Sequence, residues 1–144
     1  MNDFLARHAI KHMKDGLSRT WVLPDDQPSG KAKIVAYYTL TMATVSREEI
    51  PASVSLPKYP IPTVLLAKLA VDVQYIKRGI GKKMLIVALR KAVELSDKGL
   101  SAHALILDVL DDEALSFYKK FDDFKSFTND PMRLFVPMSV LRKI

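Results

Sequence analysis

An apolar run that empties into a glycine turn constrains the fold more than any other part of this chain. The run TVLLAKLAVDV, Thr63 to Val73, has only Lys68 and Asp72 as charged residues. A run of this kind, without polar alternation, is the pattern of a central strand covered on both faces. The stretch YIKRGIGKKM follows, with Gly79 and Gly81 one residue apart. From Gly81 to about Asp97, Leu85, Ala88, Leu89, Ala92 and Val93 recur at helical spacing and make one apolar stripe. Gly99 stands where such a helix would stop. HALILDV, His103 to Val109, reads as a second buried strand. Strand, helix and strand in this order predict a right-handed crossover, and hence an α/β domain with a mixed sheet.

The flanking segments extend that frame. Asn2 to Asp15 reads as a first helix, with Phe4, Leu5, Ala9 and His12 on one face and Gly16 as its stop. Leu17 to Pro24 reads as a strand, and Asp25 to Lys33 as a turn and loop. Ile34 to Val45, rich in β-branched and aromatic residues, is a long strand. Ser46 to Pro62 holds Pro51, Pro57, Pro60 and Pro62, a density that argues against any regular element. Asp111 and Asp112 open a short helix, DDEALSFYKKF, with acids at its positive end. Phe124 to Phe127 and Arg133 to Met138 flank Asn129-Asp130-Pro131 and suggest a closing hairpin. Two strand–helix–strand crossings are expected in the second half.

With 144 residues and 49% hydrophobic composition, the chain has one domain's worth of core. No run approaches the length of a membrane span. The start, MNDFLARHAIKHMKD, is too charged for a secretory signal, so the cytoplasm is the expected compartment. The absence of cysteine excludes disulfides, thiolate metal sites and a cysteine nucleophile. A net charge of +6 favours anionic partners such as nucleic acid, a phosphorylated cofactor or an acidic protein.

A glycine turn between an apolar strand and a helix is a fitting context for phosphate. Glycine admits unusual backbone angles and close approach. Successive N–H groups with a helix N-terminus form an anion nest, and Lys77, Arg78, Lys82 and Lys83 add positive field. The dinucleotide fingerprint GxGxxG fails at Met84, and the P-loop fails at Lys83. The spacing alone equally allows a tight strand–helix turn with a solvated basic face.

The segment IKRGIG, Ile76 to Gly81, resembles the cofactor signature of the GNAT acetyltransferases: Gln or Arg, two residues, Gly, one residue, then Gly or Ala. Ile76 stands where Gln or Arg is usual. Five further segments occur in matching order: Ala6 to Leu23, Ile34 to Val45, Leu66 to Asp72, Ala114 to Phe121 and Met132 to Met138. Together they resemble the GNAT toxins of bacterial toxin–antitoxin pairs over nearly the whole chain. Asp123-Phe124 replaces the Gly-Phe usual after the catalytic helix. The resemblance implies a single GNAT N-acetyltransferase domain over 1–144. It also implies a mixed central sheet with a splayed cofactor-binding strand pair and flanking helices.

Acetyl transfer from a thioester to an amine needs a neutral amine, stabilisation of the oxyanion and a proton for the departing thiolate. A tyrosine hydroxyl, with a reference pKa of about 10, holds its proton at neutral pH and can supply it to the departing thiolate. The resemblance puts Tyr118 in that catalytic role. It implies acetyl-CoA as cofactor, held by the backbone of Leu69, Ala70 and Val71 and by Arg78, Gly79, Ile80, Gly81 and Lys82. Its implied acceptor is the α-amine of aminoacyl-tRNA, which titrates near 8 or lower and needs little help from a base. Arg133, Lys77 and Arg90 are the expected substrate contacts. Arg7, Lys11, Lys14, Arg19, Lys83 and Lys91 are further candidates for phosphate. No base residue is assigned to Asp72, Glu48 or Glu49. His8 and His12 have metal-ligand spacing but no third ligand nearby, so no metal is expected. No aromatic interleaving marks a groove for single strands. Implied partners are a DNA-binding antitoxin and a second copy of the chain, as a homodimer. Alternatives are a GNAT enzyme for a protein or small-molecule amine, and a binding module that kept the fold without the chemistry.

Overall fold

Six strands form one mixed sheet in the order β1-β2-β3-β4-β6-β5. The computed structural model describes residues 4–25, 33–50, 60–75, 79–99, 101–121 and 123–143. Its elements are a π-helical turn Leu5–Ala9 running into α1 (Ile10–Lys14), β1 (Arg19–Asp25), β2 (Lys33–Val45), β3 (Ile61–Val71), α2 (Ile80–Lys98), β4 (Ala104–Asp108), α3 (Asp112–Lys119), β5 (Lys125–Phe127), β6 (Asp130–Pro137) and α4 (Met138–Leu141). The chain divides into two compact units, one of Met1–Thr41 with Leu66–Leu89, the other of Met42–Leu65 with Arg90–Ile144.

In the first unit, β1 pairs antiparallel with β2 from Arg19↔Leu40 to Asp25↔Lys33, with a bulge between Leu23 and Pro24. Val35 to Leu40 are all buried, as expected of β-branched and aromatic residues in an interior strand. The preceding helix stops at Gly16, whose φ of +73° suits glycine. Gly16 N–H donates to Met13 O, and Leu17 N–H to His12 O. Leu85, Ala88 and Leu89, from the start of the α2 stripe, are buried.

In the second unit, β3 lies parallel to β4 over Thr63↔Ala104, Val64↔Leu105 and Leu65↔Ile106. β4 pairs antiparallel with β6 from Ala104↔Pro137 to Asp108↔Arg133, so Ala104 to Leu107 are buried throughout. Phe127 and Phe135 meet edge-on at 5.7 Å beside Val45, Ile50 and Ile61.

Several expectations need correction. Among the described residues, only β3–α2–β4 is a parallel crossover. The return after α3 goes into the β5–β6 hairpin, and β6 runs antiparallel to β4. The hairpin turn is Thr128-Asn129, because Phe127 already pairs with Asp130. Ile61 and Pro62 belong to β3 rather than to the preceding loop, and a short 3₁₀ turn occupies Arg47–Glu49. Gly99 follows α2 without a left-handed φ. The last turn, α4, had no sequence signal of helical length. The loops at 26–32 and 51–59 lie outside the described residues.

Asp111 Oδ1 accepts the Ala114 N–H at 2.7 Å and so caps α3. Asp111→Ala is expected to lower stability by about 1 kcal/mol with an unchanged urea m-value. Asp111→Asn, whose side-chain oxygen can accept the same bond, is expected to restore most of it.

Candidate active site

The first unit carries the strand end and the glycine turn. Leu69, Ala70 and Val71 close β3, partly buried. Asp72 N–H then donates to Val35 O at 2.8 Å, holding the strand end to β2. Asp72 turns its carboxylate back on its own chain, with Oδ1 accepting Gln74 N–H at 2.9 Å. Tyr75 N–H closes the 3₁₀ turn Val73–Tyr75 on Asp72 O. Two side-chain tethers fix this turn from far along the chain. Tyr75 Oη donates to Asp25 Oδ2 at 2.6 Å, and Lys33 Nζ donates to Gln74 Oε1. The turn Val73–Tyr75 is thus tethered through two side chains to the ends of β1 and β2.

Gly79 has φ +72°, a conformation costly for any residue with a Cβ. Its carbonyl accepts Lys83 N–H at 3.2 Å, closing the first turn of α2. Gly81 lies inside the helix, so of the two glycines only Gly79 is needed for its φ. Ile80 and Gly81 are partly buried and Lys82 is exposed. The first N–H groups of a helix have no intrahelical acceptor, and the first turn here contains no acidic residue. This backbone suits an anion such as a pyrophosphate. Ile76, Lys77 and Arg78 lie outside the described residues.

The second unit carries Tyr118. It sits in the last turn of α3, between Phe117 at 5.1 Å and Phe124 at 5.9 Å, both edge-on. Phe121 contacts the same two phenylalanines, at 5.8 and 6.4 Å. These apolar rings surround the tyrosine with material that cannot solvate a phenolate. Burial pushes its pKa up to about 12. The hydroxyl therefore keeps its proton at neutral pH and is a donor rather than a base. Phe124, at the position where Gly-Phe was replaced by Asp123-Phe124, is buried and supplies part of this wall.

Arg133 and Arg90 also belong to the second unit. Arg133 Nε lies 3.0 Å from Asp108 Oδ1, off the line a hydrogen bond needs, and its guanidinium lies 5.4 Å from the Phe127 ring centre. An ion pair and a ring therefore already hold it. Arg90 is exposed on α2. Sequence reasoning missed Phe124 and the Tyr75–Asp25 pair. The first had a signal in its apolar spacing from Phe117 and Phe121, and the second had none.

An apolar strand ending in a glycine turn and basic helix, with a half-buried, ring-flanked tyrosine on a later helix, is the arrangement of an acyltransferase of the GNAT class. No protein-family profile matches the chain. A tRNA-acetylating toxin of Mycobacterium tuberculosis is 31% identical over 146 aligned positions, covering 100% of this chain and 83% of the relative. The chain belongs to this family of GNAT acetyltransferase toxins, and it is an N-acetyltransferase. The structure of AtaT complexed with acetyl-methionyl-tRNAfMet matches with a TM-score of 0.87 at 24% identity, over 99% of this chain and 84% of that one. A tyrosine-to-phenylalanine mutant of the AtaT toxin, bound to the C-terminus of the antitoxin AtaR and to acetyl-CoA, matches at 0.80 and 23%, over 99% and 81%.

The raised Tyr118 pKa has a sign for stability. Burial favours the neutral phenol, so its contribution is fully present below the unfolded value of about 10. It is lost as pH rises through the folded value of about 12. Denaturation between pH 10 and 12 is expected to show a steeper loss of stability in the wild type than in Tyr118→Phe. Equal slopes would remove the burial effect.

Proposed function

We propose that this chain transfers the acetyl group of acetyl-CoA to the α-amine of aminoacyl-tRNA and so arrests translation. The observation that carries this reading is a tyrosine kept neutral by a ring-lined wall, in a chain related over its full length to a tRNA-acetylating toxin. Acetyl-CoA supplies the acetyl group as a thioester. The backbone groups of Leu69, Ala70 and Val71 pair with its pantetheine arm and supply N–H donors for charge developing on the carbonyl oxygen. The N–H groups from Arg78 to Lys82, with the Lys82 ammonium, hold the pyrophosphate.

The amine nitrogen forms a bond to the acetyl carbon, and the carbon–sulfur bond breaks. The sulfur takes its proton from Tyr118 Oη, the amine releases its surplus proton to water, and water returns a proton to the Tyr118 phenolate before the next turnover. An α-amine of pKa about 8 has enough neutral form at physiological pH for this without a base residue. Asp72 is also a poor candidate, because its carboxylate oxygen already caps Gln74.

Arg90, Lys77 and Arg133 serve the acceptor RNA, Arg133 through the free part of its guanidinium. The whole of 1–144 acts as one acetyltransferase domain, in the cytoplasm, where charged tRNA is found. No helix among the described residues is long and apolar enough to cross a membrane. A DNA-binding antitoxin neutralises the enzyme, as the AtaT–AtaR complex illustrates for that protein, and the active form is a homodimer.

Labelled acetyl-CoA incubated with bulk aminoacylated tRNA is expected to label RNA, and uncharged tRNA is expected to stay unlabelled. Tyr118→Phe should cut the rate by about 10²- to 10⁴-fold, the usual range for loss of a general acid. The pH–rate profile should rise through the amine titration and then stay level, since Tyr118 holds its proton to about pH 12. Equal label on uncharged RNA would exclude the α-amine, and a full-rate Tyr118→Phe enzyme would exclude the acid.

A further inference from the structure

Outside the proposed catalytic groups, the first unit carries a second chemical feature, a cluster of aromatic rings on its N-terminal helix. Phe4, His8 and His12 follow one another at four-residue spacing. Phe4 stacks on Tyr37 of β2 at 5.9 Å and 14°. His12 meets Phe4 edge-on at 5.7 Å, and His8 lies 28° from parallel to His12 at 5.6 Å. Lys68 Nζ lies 4.8 Å from the centre of the Phe4 ring.

The backbone explains how three rings stay together. Four residues overshoot an α-helical turn of about 3.6 residues, so an i, i+4, i+8 series drifts around the helix. The π-helical turn Leu5–Ala9 is wider. It undershoots over the same step, which offsets the drift of the α-helical turns beyond it. Turns of this kind are rare and recur at functional sites.

Packing the helix on the sheet does not call for all of these rings. Ala9 and the Phe4–Tyr37 stack serve that purpose, with Ala9 and Tyr37 buried. His8 is exposed and nonetheless aligned with the cluster. Arg7 and Lys11 flank it on the same helix, and both are exposed. Lys68 directly precedes Leu69 on β3, which places the cluster beside the strand end assigned to the acetyl donor. Rings interleaved with cations beside that strand are the means by which proteins hold unpaired nucleotides. Sequence spacing alone does not mark this grouping, since residues 4, 8, 12 and 37 meet only in the fold.

We infer that the Phe4–His8–His12–Tyr37 cluster, with Lys68, is a stacking platform for an unpaired base at the 3′ end of the acceptor RNA, and that the exposed His8 ring makes the contact. The inference rests on the proposed acceptor and deepens it. It assigns recognition of the acceptor end to the N-terminal helix and leaves acetyl transfer to Tyr118.

The test uses the full chain and two probes. The first is a short RNA oligonucleotide ending in CC and 2-aminopurine, whose fluorescence falls when the base stacks. Quenching is expected with the wild type, loss of quenching with His8→Ala, and its return with His8→Phe. The second compares acetylation of aminoacyl-tRNA with that of an amino-acid methyl ester, which has no base. His8→Ala is expected to raise KM for aminoacyl-tRNA by about 5- to 150-fold, the range for loss of one base–aromatic stack. Its kcat and its rate on the ester should be unchanged. No quenching by the wild type, or a His8→Phe protein as weak as His8→Ala, overturns the platform. So does an equal loss on the ester. If the wild type acetylates neither substrate, the acetylation reading fails by itself, and quenching alone then decides the platform.

Discussion

Parallel strands cannot be joined by a tight turn, and the pairing of β3 with β4 imposes that constraint on the whole middle of this chain. The connection must leave the end of β3, cross one face of the sheet and return to the start of β4. It does so through a 3₁₀ turn, a glycine with positive φ and the helix α2. The first N–H groups of that helix therefore follow directly on the strand end. The crossover leaves those N–H groups without intrahelical acceptors, as an anion-binding backbone requires. Evolution needed only to keep acidic residues out of the first turn and place lysines there.

The chemistry at Tyr118 comes from packing in a comparable way. A phenol exposed to water is a middling acid. Enclosed by Phe117 and Phe124 it becomes a weaker one, because neither ring can support the phenolate. A weaker acid gives up some driving force toward the thiolate. In return it is fully protonated at every pH where the amine acceptor is reactive. Proton transfer to a thiolate, whose thiol has a reference pKa of about 8.5, is uphill from this phenol. The replacement of Gly-Phe by Asp123-Phe124 leaves this wall in place, since Phe124 is still buried against the tyrosine.

Much of the fold was legible in the sequence, because burial writes itself into periodicity. The unbroken apolar runs marked β3 and β4, the stripe from Leu85 to Val93 marked α2, and Asp111 marked the start of α3. Boundaries shifted by a residue or two where the pattern is silent. Ile61 and Pro62 joined the strand although Pro60 and Pro62 bracket Ile61, and the hairpin turned at Thr128-Asn129 because Asp130 still pairs with Phe127. The second crossover failed for a different reason. Sequence order shows that a helix separates two strands, but not which earlier strand the later one will join. The candidate site divides along the same line. Gly79 and Tyr118 sit in recognisable local contexts. The Tyr75–Asp25 bond joins residues 50 apart, and the ring cluster depends on a π-helical turn that no residue type announces.

The positive charge is also less uniform than a net value of +6 suggests. Lys11 is paired with Asp15, Lys91 and Lys98 share Glu94, Arg133 faces Asp108, and Arg142 bonds Asp97. Exposed pairs of this sort add little stability, but each places a carboxylate beside a cation that would otherwise meet phosphate. Among the described residues, Arg19, Lys33, Lys68, Lys119, Lys120, Lys125 and Lys143 have no ion pair, and neither do five on the N-terminal helix and α2: Arg7, Lys14, Lys82, Lys83 and Arg90. Three of these five lie on α2 and two on the N-terminal helix. Unpaired cations thus stand on the two helices that carry the proposed cofactor nest and the proposed base platform, and also along β1, β2, β3, α3 and β5. Paired cations dominate the far end of α2 and the β4–β6 ladder. Field strength at the surface depends on this distribution more than on the total.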